Sequence, residues 1–517
     1  MHARRTDLPA LLRALQEPAR YPHAATAMEL LETHGAWVLL AGDHAYKIKK
    51  PVCLPFMDFS TLGLRRAACQ AEVRLNRRFE TGDPASHLYL EVLPIVGTPE
   101  NPAWGRPDED DESAFEYAVH MRRFDQNQRL DHLCQTGALR PAHLTGLARR
   151  MADFQARSAF MTAQGAWGQA EDMLAFAQDN LAALQAACSL PADRTRIDTL
   201  ATWTGVRFAA VANTLAQRRT HGRVREGHGD LHLANLVLIG DEVVPFDGIE
   251  FNDALRWIDV ASDIAFTWMD LQGHERPGLA NLFLSEWLDA SGDTSALWVL
   301  PFFAVYRALV RAKVAAIRSD QPGAHCRVAQ NEAHHYLALA GRIAQPGPPR
   351  LLITHGLSGS GKTHASSRWL LLEASGRAIR LRSDVERKRL HGLDAHEASG
   401  SGPNDGLYSP QANLDTYDHL LQRARGLLQD GWTVLVDAAF LRHRERADFG
   451  ALAQSMGCPF HILAPEAPLA VLRERIRHRQ AQGQDASEAT LEVLERQLGW
   501  LEPLNEAERA CCIAPPA

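Results

Sequence analysis

Two stretches of this chain carry residue types at spacings that chemistry would need. The first is Gly356-Leu357-Ser358-Gly359-Ser360-Gly361-Lys362-Thr363, which reads G-x-x-x-x-G-K-T. Glycines there let the backbone bend until successive N–H groups face one phosphate, and the N-terminus of a following helix adds partial positive charge. Lys362 is placed to reach β- and γ-phosphates, and the Thr363 hydroxyl to ligate Mg²⁺. The second stretch is His228-Gly229-Asp230-Leu231-His232-Leu233-Ala234-Asn235, followed by Phe246-Asp247.

In the second stretch an asparagine comes five residues after Asp230, and another aspartate twelve further on. That is the spacing of the catalytic loop and metal aspartate of protein kinases, with HGD in place of HRD. Asp230 would accept or orient a substrate hydroxyl, while Asn235 and Asp247 would hold Mg²⁺ against the ATP phosphates. Between them, Leu236–Ile239, the Gly240-Asp241 turn and Val243–Phe246 read as a hairpin that returns both ligands to one point. Singly, each residue has a plainer account, as a helix cap, a turn residue or a strand-end turn. Their order and spacing favour the chemical one.

The elements that must position these residues follow from periodicity. Leu351–Ile353 reads as a buried strand before the glycine loop, and His364–Glu373 as the helix after it. Residues 7–34 have helical spacing, interrupted near Pro18 and Pro22. Trp37–Leu40 and Ala45–Lys49 form a hairpin around Gly42-Asp43. Phe59–Arg78 reads as a basic helix carrying Glu72. Leu88–Ile95 and Phe115–Met121 read as strands, and Asn101–Glu112 as a loop or hairpin tip. A helix-rich region runs from Leu130 to Arg218, and further helices extend to about Ala344. A strand-rich part followed by a helix-rich part predicts two lobes with a cleft between them. Gln345-Pro346-Gly347-Pro348-Pro349 is the best linker in the chain.

His228–Asn235 with Phe246-Asp247 resembles the aminoglycoside phosphotransferase family, over roughly residues 35–340. The resemblance implies a two-lobed protein-kinase-like fold, with Lys47 paired to Glu72 and Met121 near the hinge that meets adenine. Lys49 lies on the same strand face as Lys47, so which lysine serves the phosphates stays open. No clear glycine-rich loop lies between Thr33 and Lys47, where only Gly35 and Gly42 occur. The resemblance also implies that Asp259 or Asp263 anchors the catalytic loop; a surface-charge role is the alternative.

Beyond the glycine loop, Ala378–Arg382 reads as a second strand. Asp384 at its end is a candidate acceptor base, with Arg382 and Arg387 nearby. Equally, Ser383 or Asp384 would serve as the N-cap of a Val385–Leu390 helix. Gly400–Gly406 reads as a mobile lid, and Leu414–Gln429 as an amphipathic helix. Trp432–Asp437 is a buried strand whose terminal Asp437 is the expected second carboxylate on the Mg²⁺ side. Phe460–Leu463 follows as a strand. Arg475 and Arg479, one helical turn apart within Arg473–Arg479, could reach one phosphoryl group together. Asp485–Ala489 opens a last helix through Leu498. Residues 350–510 resemble P-loop small-molecule kinases of the gluconate kinase, polynucleotide kinase and zeta-toxin type. The resemblance, with the alternation of strands and helices, implies a parallel sheet with helices on both faces.

The 517 residues divide into a helical segment at 1–34, a kinase-like domain at 35–344, a linker at 345–349 and a P-loop domain of AAA-type ATP-binding character at 350–517. The kinase-like domain would have a small lobe at about 35–121 and a large lobe at about 122–344. A net charge of −7 argues against a general nucleic-acid binder. No apolar run is long enough to span a membrane, and no secretory signal follows the basic N-terminus. Eight scattered cysteines fit reduced thiols in a cytoplasmic protein. The expected function is transfer of a phosphoryl group from ATP, with Mg²⁺, to small hydroxylated acceptors at two centres. The rivals are a nucleotide-sensing regulator, in which one half binds ATP without turnover, and a P-loop ATPase.

Overall fold

The computed structural model describes residues 9–25, 28–54, 56–80, 82, 87–107, 112–188, 190–319, 326–395, 397, 407, 409–482 and 489–514. The chain divides into two compact units. One comprises Met1–Leu139, Arg157–Ala170 and Ala216–Asp263; the other comprises Arg140–Ala156, Glu171–Leu215 and Ile264–Ala517.

The first unit is built on a six-stranded antiparallel sheet. Its strands are β1 (Met28–Glu32), β2 (Ala36–Ala41), β3 (His44–Lys49), β4 (Tyr89–Thr98), β5 (Asn101–Trp104) and β6 (Glu116–Arg122), in the order β1-β2-β3-β6-β4-β5. Residues 28–32, expected to be helical, form β1 instead. Leu30 and Leu31 pair with Leu39 and Val38, and a five-residue run is too short for its period to separate helix from strand. Asn101–Trp104, expected in a loop or hairpin tip, is β5 and returns along the end of β4 as a hairpin. Gly42 turns β2 into β3 at a φ of 58°, where an added Cβ would lie 2.3 Å from the Ala24 carbonyl oxygen.

Helix α1 (Leu62–Arg77) is capped by Thr61, whose hydroxyl accepts the Leu64 N–H. Its buried face runs Arg65, Ala68, Cys69, Glu72, Val73 and Asn76, a stripe of helical period with polar residues set into it. The later part of the same unit adds β7 (Val224–Glu226), the hairpin of β8 (Leu236–Ile239) and β9 (Glu242–Pro245), and β10 (Trp257–Asp259), which pairs with β7.

The second unit joins helices to a parallel sheet. The strands are β11 (Leu351–Thr354), β12 (Ala378–Arg382), β13 (Thr433–Asp437), β14 (Phe460–Leu463) and β15 (Cys512–Ile513), in the order β12-β13-β11-β14-β15. The glycine-loop strand β11 is central, and every residue in it is buried. The edge strand β12 is covered by helix α2 (Pro277–Ser291). Buried Asn281 donates to the Leu370 and Glu373 carbonyls and accepts the Ala378 N–H at 3.0 Å. The Ser285 hydroxyl accepts the Arg380 N–H. Arg380, in the middle of β12, is 2% exposed and pairs with Glu286 at 2.7 Å and Asp289 at 3.4 Å. At Gly278 the backbones are so close that an added Cβ would lie 1.8 Å from the Leu371 carbonyl oxygen.

Asn281→Leu keeps the volume but leaves two buried carbonyls and one N–H without that partner. The expected loss is roughly 2–4 kcal/mol, since each unsatisfied buried group costs about 1–3 kcal/mol. It would be read from the urea midpoint of the full chain.

Candidate functional site

The two constellations fall in different units. In the first unit, β3 puts Lys47 and Lys49 on one face, two residues apart, and α1 brings Glu72 against them. Lys47 Nζ donates to Glu72 Oε1 at 2.7 Å and also pairs with Asp247. Lys49 pairs with the other oxygen of Glu72 and with Glu250. Glu72 is fully buried, whereas the Asp247 side chain is 44% exposed and available to a ligand. Burial pushes the Asp247 carboxyl up, but Lys47, which also donates it a hydrogen bond, and Lys49 outweigh this and hold it below its usual range. Burial opposes the Lys47 ammonium, but Asp247, Glu72 and Glu250 raise it well above its ordinary value.

The His228–Asn235 loop is held by its backbone. The Asp263 carboxylate, in the first turn of helix Val260–Gly273, accepts the N–H groups of His228 at 2.8 Å and Gly229 at 2.9 Å. Of the two candidate anchors, Asp263 therefore holds this loop, while Asp259 is occupied by Arg218 at 2.7 Å. The glycine of HGD has a physical reason. Gly229 sits at a φ of 86°, and an added Cβ would meet the Leu255 carbonyl oxygen at 2.8 Å.

The Asp230 N–H donates to His228 Nδ1, so His228 Nε2 carries the ring proton and donates to the Phe246 carbonyl at 2.9 Å. Burial of His228 lowers its pKa and keeps this neutral form. The Asn235 amide donates to Asp230 Oδ2 at 3.0 Å, so these two side chains are already joined. Met121 is 7% exposed and lies opposite Ala45, two residues before Lys47, in a core that Phe124 and Phe246 border. One half-exposed carboxylate and one side-chain amide suit Mg²⁺, which takes one or two carboxylates and completes its shell with phosphate oxygens and water.

Sequence reasoning missed Glu250, Tyr89 and Asn76 here. Asn76 was detectable as a polar residue four positions after Glu72 on the buried stripe of α1. Glu250 lies in irregular backbone and left no pattern.

In the second unit the glycine loop opens helix α3 (Lys362–Leu372), with Gly361 as its N-cap at a φ of 99°. Gly359, at a φ of 82°, passes the Leu472 carbonyl so closely that a Cβ would lie 2.8 Å from its oxygen. Lys362 Nζ donates to the Gly356 and Leu357 carbonyls at 3.0 and 2.9 Å. Burial lowers its pKa, partly offset by Asp437 and Asp384. Leu357 packs on Leu472, Ile476 and Leu494, and Ser358 and Ser360 are buried. Gln497, on the helix Leu491–Trp500, accepts the Ser358 N–H at 2.7 Å.

A cavity of about 510 Å³ is lined by Ser358, Gly359, Gly361, Lys362, Thr363, Asp384, Asp437, Arg475 and Arg479, among others. Asp437 ends β13 and accepts the Ser366 hydroxyl at 3.0 Å. Arg475 Nη1 contacts the Gly359 carbonyl at 3.2 Å, and Arg479 donates to the Ala489 carbonyl. Asp384 is paired with Arg387 at 3.4 Å. The expected N-cap at Ser383 or Asp384 is one or two residues late: the helix Ser383–Leu390 is preceded by Arg382, and Asp384 lies in its first turn. Gly400–Gly406, expected as a mobile lid, lies outside the described residues, as do residues 485–488 of the expected last helix; the described part of that helix is Leu491–Trp500, capped by Thr490.

Two outcomes are expected from this geometry. Asp247 has a lowered folded pKa, so its contribution to stability is full above its ordinary 3.8 and is lost as pH falls through the folded value. Lys47 has a raised one, so its contribution is full below 10.5 and is lost as pH rises through the folded value. The stability difference between wild type and Lys47→Met should therefore be flat between those limits and shrink outside them, as read from denaturation midpoints against pH. Pyrophosphate should stabilise the chain by about 2.7 kcal/mol at a hundred times its Kd. Lys362→Met should lose most of that gain in a thermal-shift titration.

A family model described as an AAA domain matches residues 351–504. Among solved structures, a choline/ethanolamine kinase family protein from Mesorhizobium loti aligns over 65% of this chain and 99% of its own, at 12% identity and a TM-score of 0.38. Chaetomium thermophilum Kti12, in complex with ADP-AlF3, aligns over 32% of this chain and 87% of its own, at 17% identity and a TM-score of 0.25. The chain joins a protein-kinase-like fold to a C-terminal P-loop fold. The uncharacterized protein Rv2004c of Mycobacterium tuberculosis (strain ATCC 25618 / H37Rv) is 30% identical over 481 residues, which cover 92% of this chain and 91% of that protein. The chain belongs to the same family as Rv2004c.

Proposed function

We propose that this protein is an ATP-dependent phosphotransferase with two nucleotide-binding centres, acting on small hydroxylated acceptors. The observation that carries the reading is the convergence of Lys47, Glu72 and Asp247 beside the joined pair Asp230 and Asn235. In the first centre Lys47 serves the α- and β-phosphates, and its contact with Asp247 favours it over Lys49. Asp230 takes the proton of the acceptor hydroxyl as the new oxygen–phosphorus bond forms and the bond to the leaving ADP oxygen breaks. Asn235 and Asp247 hold Mg²⁺, which supplies charge neutralisation at the phosphate oxygens. Met121 borders the adenine slot.

In the second centre the backbone of Gly356–Gly361 and Lys362 cradle the phosphates, and Thr363 and Asp437 hold Mg²⁺. Asp384 orients the acceptor, and Arg475 and Arg479 neutralise the moving phosphoryl group. The match over 351–504 supports a module boundary at 345–349, with the kinase-like module at 35–344.

The test is acceptor-dependent ADP release across a panel of hydroxyl compounds. Asp230→Ala and Lys362→Ala should each remove one component, by about 10²-fold or more, the scale of a lost general base for Asp230 and of a lost charge-stabilising donor for Lys362. A panel that stimulates neither variant nor wild type sinks the proposal.

A further inference from the structure

Asp247 is one of three described non-glycine residues at positive φ, with a value of 59°. That left-handed conformation is unfavourable for a residue with a Cβ and needs support from its surroundings. The support comes from two side chains on two different elements. The Asp247 N–H donates to Tyr89 Oη at 3.0 Å, and the next N–H, that of Gly248, donates to Asn76 Oδ1 at 2.9 Å. Tyr89 comes from β4 and is 1% exposed; Asn76 comes from α1 and is fully buried. The Asn76 amide orientation is set by its other end, which donates to the Glu72 carbonyl at 2.8 Å. The preceding residue is pinned as well: the Phe246 N–H donates to the Asn235 carbonyl at 3.0 Å.

We infer that Tyr89 and Asn76 are positioning residues. They hold the Asp247–Gly248 backbone so that the Asp247 carboxylate stays beside Lys47, ready for a divalent cation. Asn76 also ties that backbone to the turn of α1 that carries Glu72, so the lysine partner and the metal carboxylate are held as one piece. This inference rests on Asp247 being the metal-holding residue of the first proposed centre.

The test uses the full chain in a Lys362→Ala background, which silences the second centre. Free Mn²⁺ is measured by electron paramagnetic resonance during titration in the presence of ADP. Tyr89→Phe removes only the acceptor oxygen, and Asn76→Ser is the second variant, carrying the test if the first does not fold. Either variant should weaken Mn²⁺ binding about tenfold, the scale of one lost hydrogen bond to a charged site's support. Metal-free binding of a fluorescent ADP analogue should change less than about twofold, because Tyr89→Phe keeps the ring that packs in the same core as Met121 and removes only its hydroxyl. Unchanged Mn²⁺ affinity overturns the inference, and so does an equal loss of metal-free nucleotide binding, which would mark a general loosening. If Asp247→Ala leaves Mn²⁺ binding intact, the metal role of Asp247 falls first and the inference falls with it.

Discussion

A carboxylate wholly removed from water stays charged only if cations meet it at hydrogen-bond distance. Glu72 satisfies that condition with two lysines, one for each oxygen. Much of the first unit is arranged to make this possible. The period of β3 turns both lysines to one side, and α1 presents the carboxylate from the middle of its buried stripe. Each lysine then needs a second anion, and the segment after β9 supplies both, Asp247 for Lys47 and Glu250 for Lys49. Of the five charged groups, only Asp247 keeps substantial exposure. The lattice therefore has one open corner, and that corner is a carboxylate.

The second unit solves a different problem. A parallel sheet with a glycine loop on its central strand still has edges, and an uncovered edge offers unpaired N–H and C=O groups. Helix α2 covers β12 by matching it group for group through Asn281 and Ser285. Arg380 is the corresponding charged contact, and its guanidinium also reaches the Ser367 hydroxyl on the loop helix. Such an interface owes its specificity to paired polar groups more than to apolar area, because each group left unpaired would be costly.

Much of this was legible in the sequence where a local pattern carried it. The strand–loop–helix around Lys362 needs glycines at fixed positions, and the hairpin between Asn235 and Asp247 needs a turn between two short apolar runs. Both are visible without any partner. β1 was misread because Met28, Leu30 and Leu31 satisfy either period over so few residues, and the two-residue strand β15 offers no period at all. Arg380 looked like one more charged residue in a strand, since the acids that bury it lie more than ninety residues earlier. Asn281 was silent for the same reason: its amide is recognisable only by the backbone groups it meets, and those are set by tertiary folding. The choice between Asp259 and Asp263 likewise depended on which carboxylate meets the His228 and Gly229 amides.

The approach at Gly278 bears on how a protein of this kind can be taken apart. Two backbones nearly in contact leave no space for a solvating layer or for a side chain of any size. Cutting the chain in the proline-rich stretch before β11 would therefore uncover a matched pair of surfaces rather than release a free-standing module. Producing the glycine-loop half alone would call for co-expression with the helices that cover it, or for redesign of β12 with a solvent-compatible face.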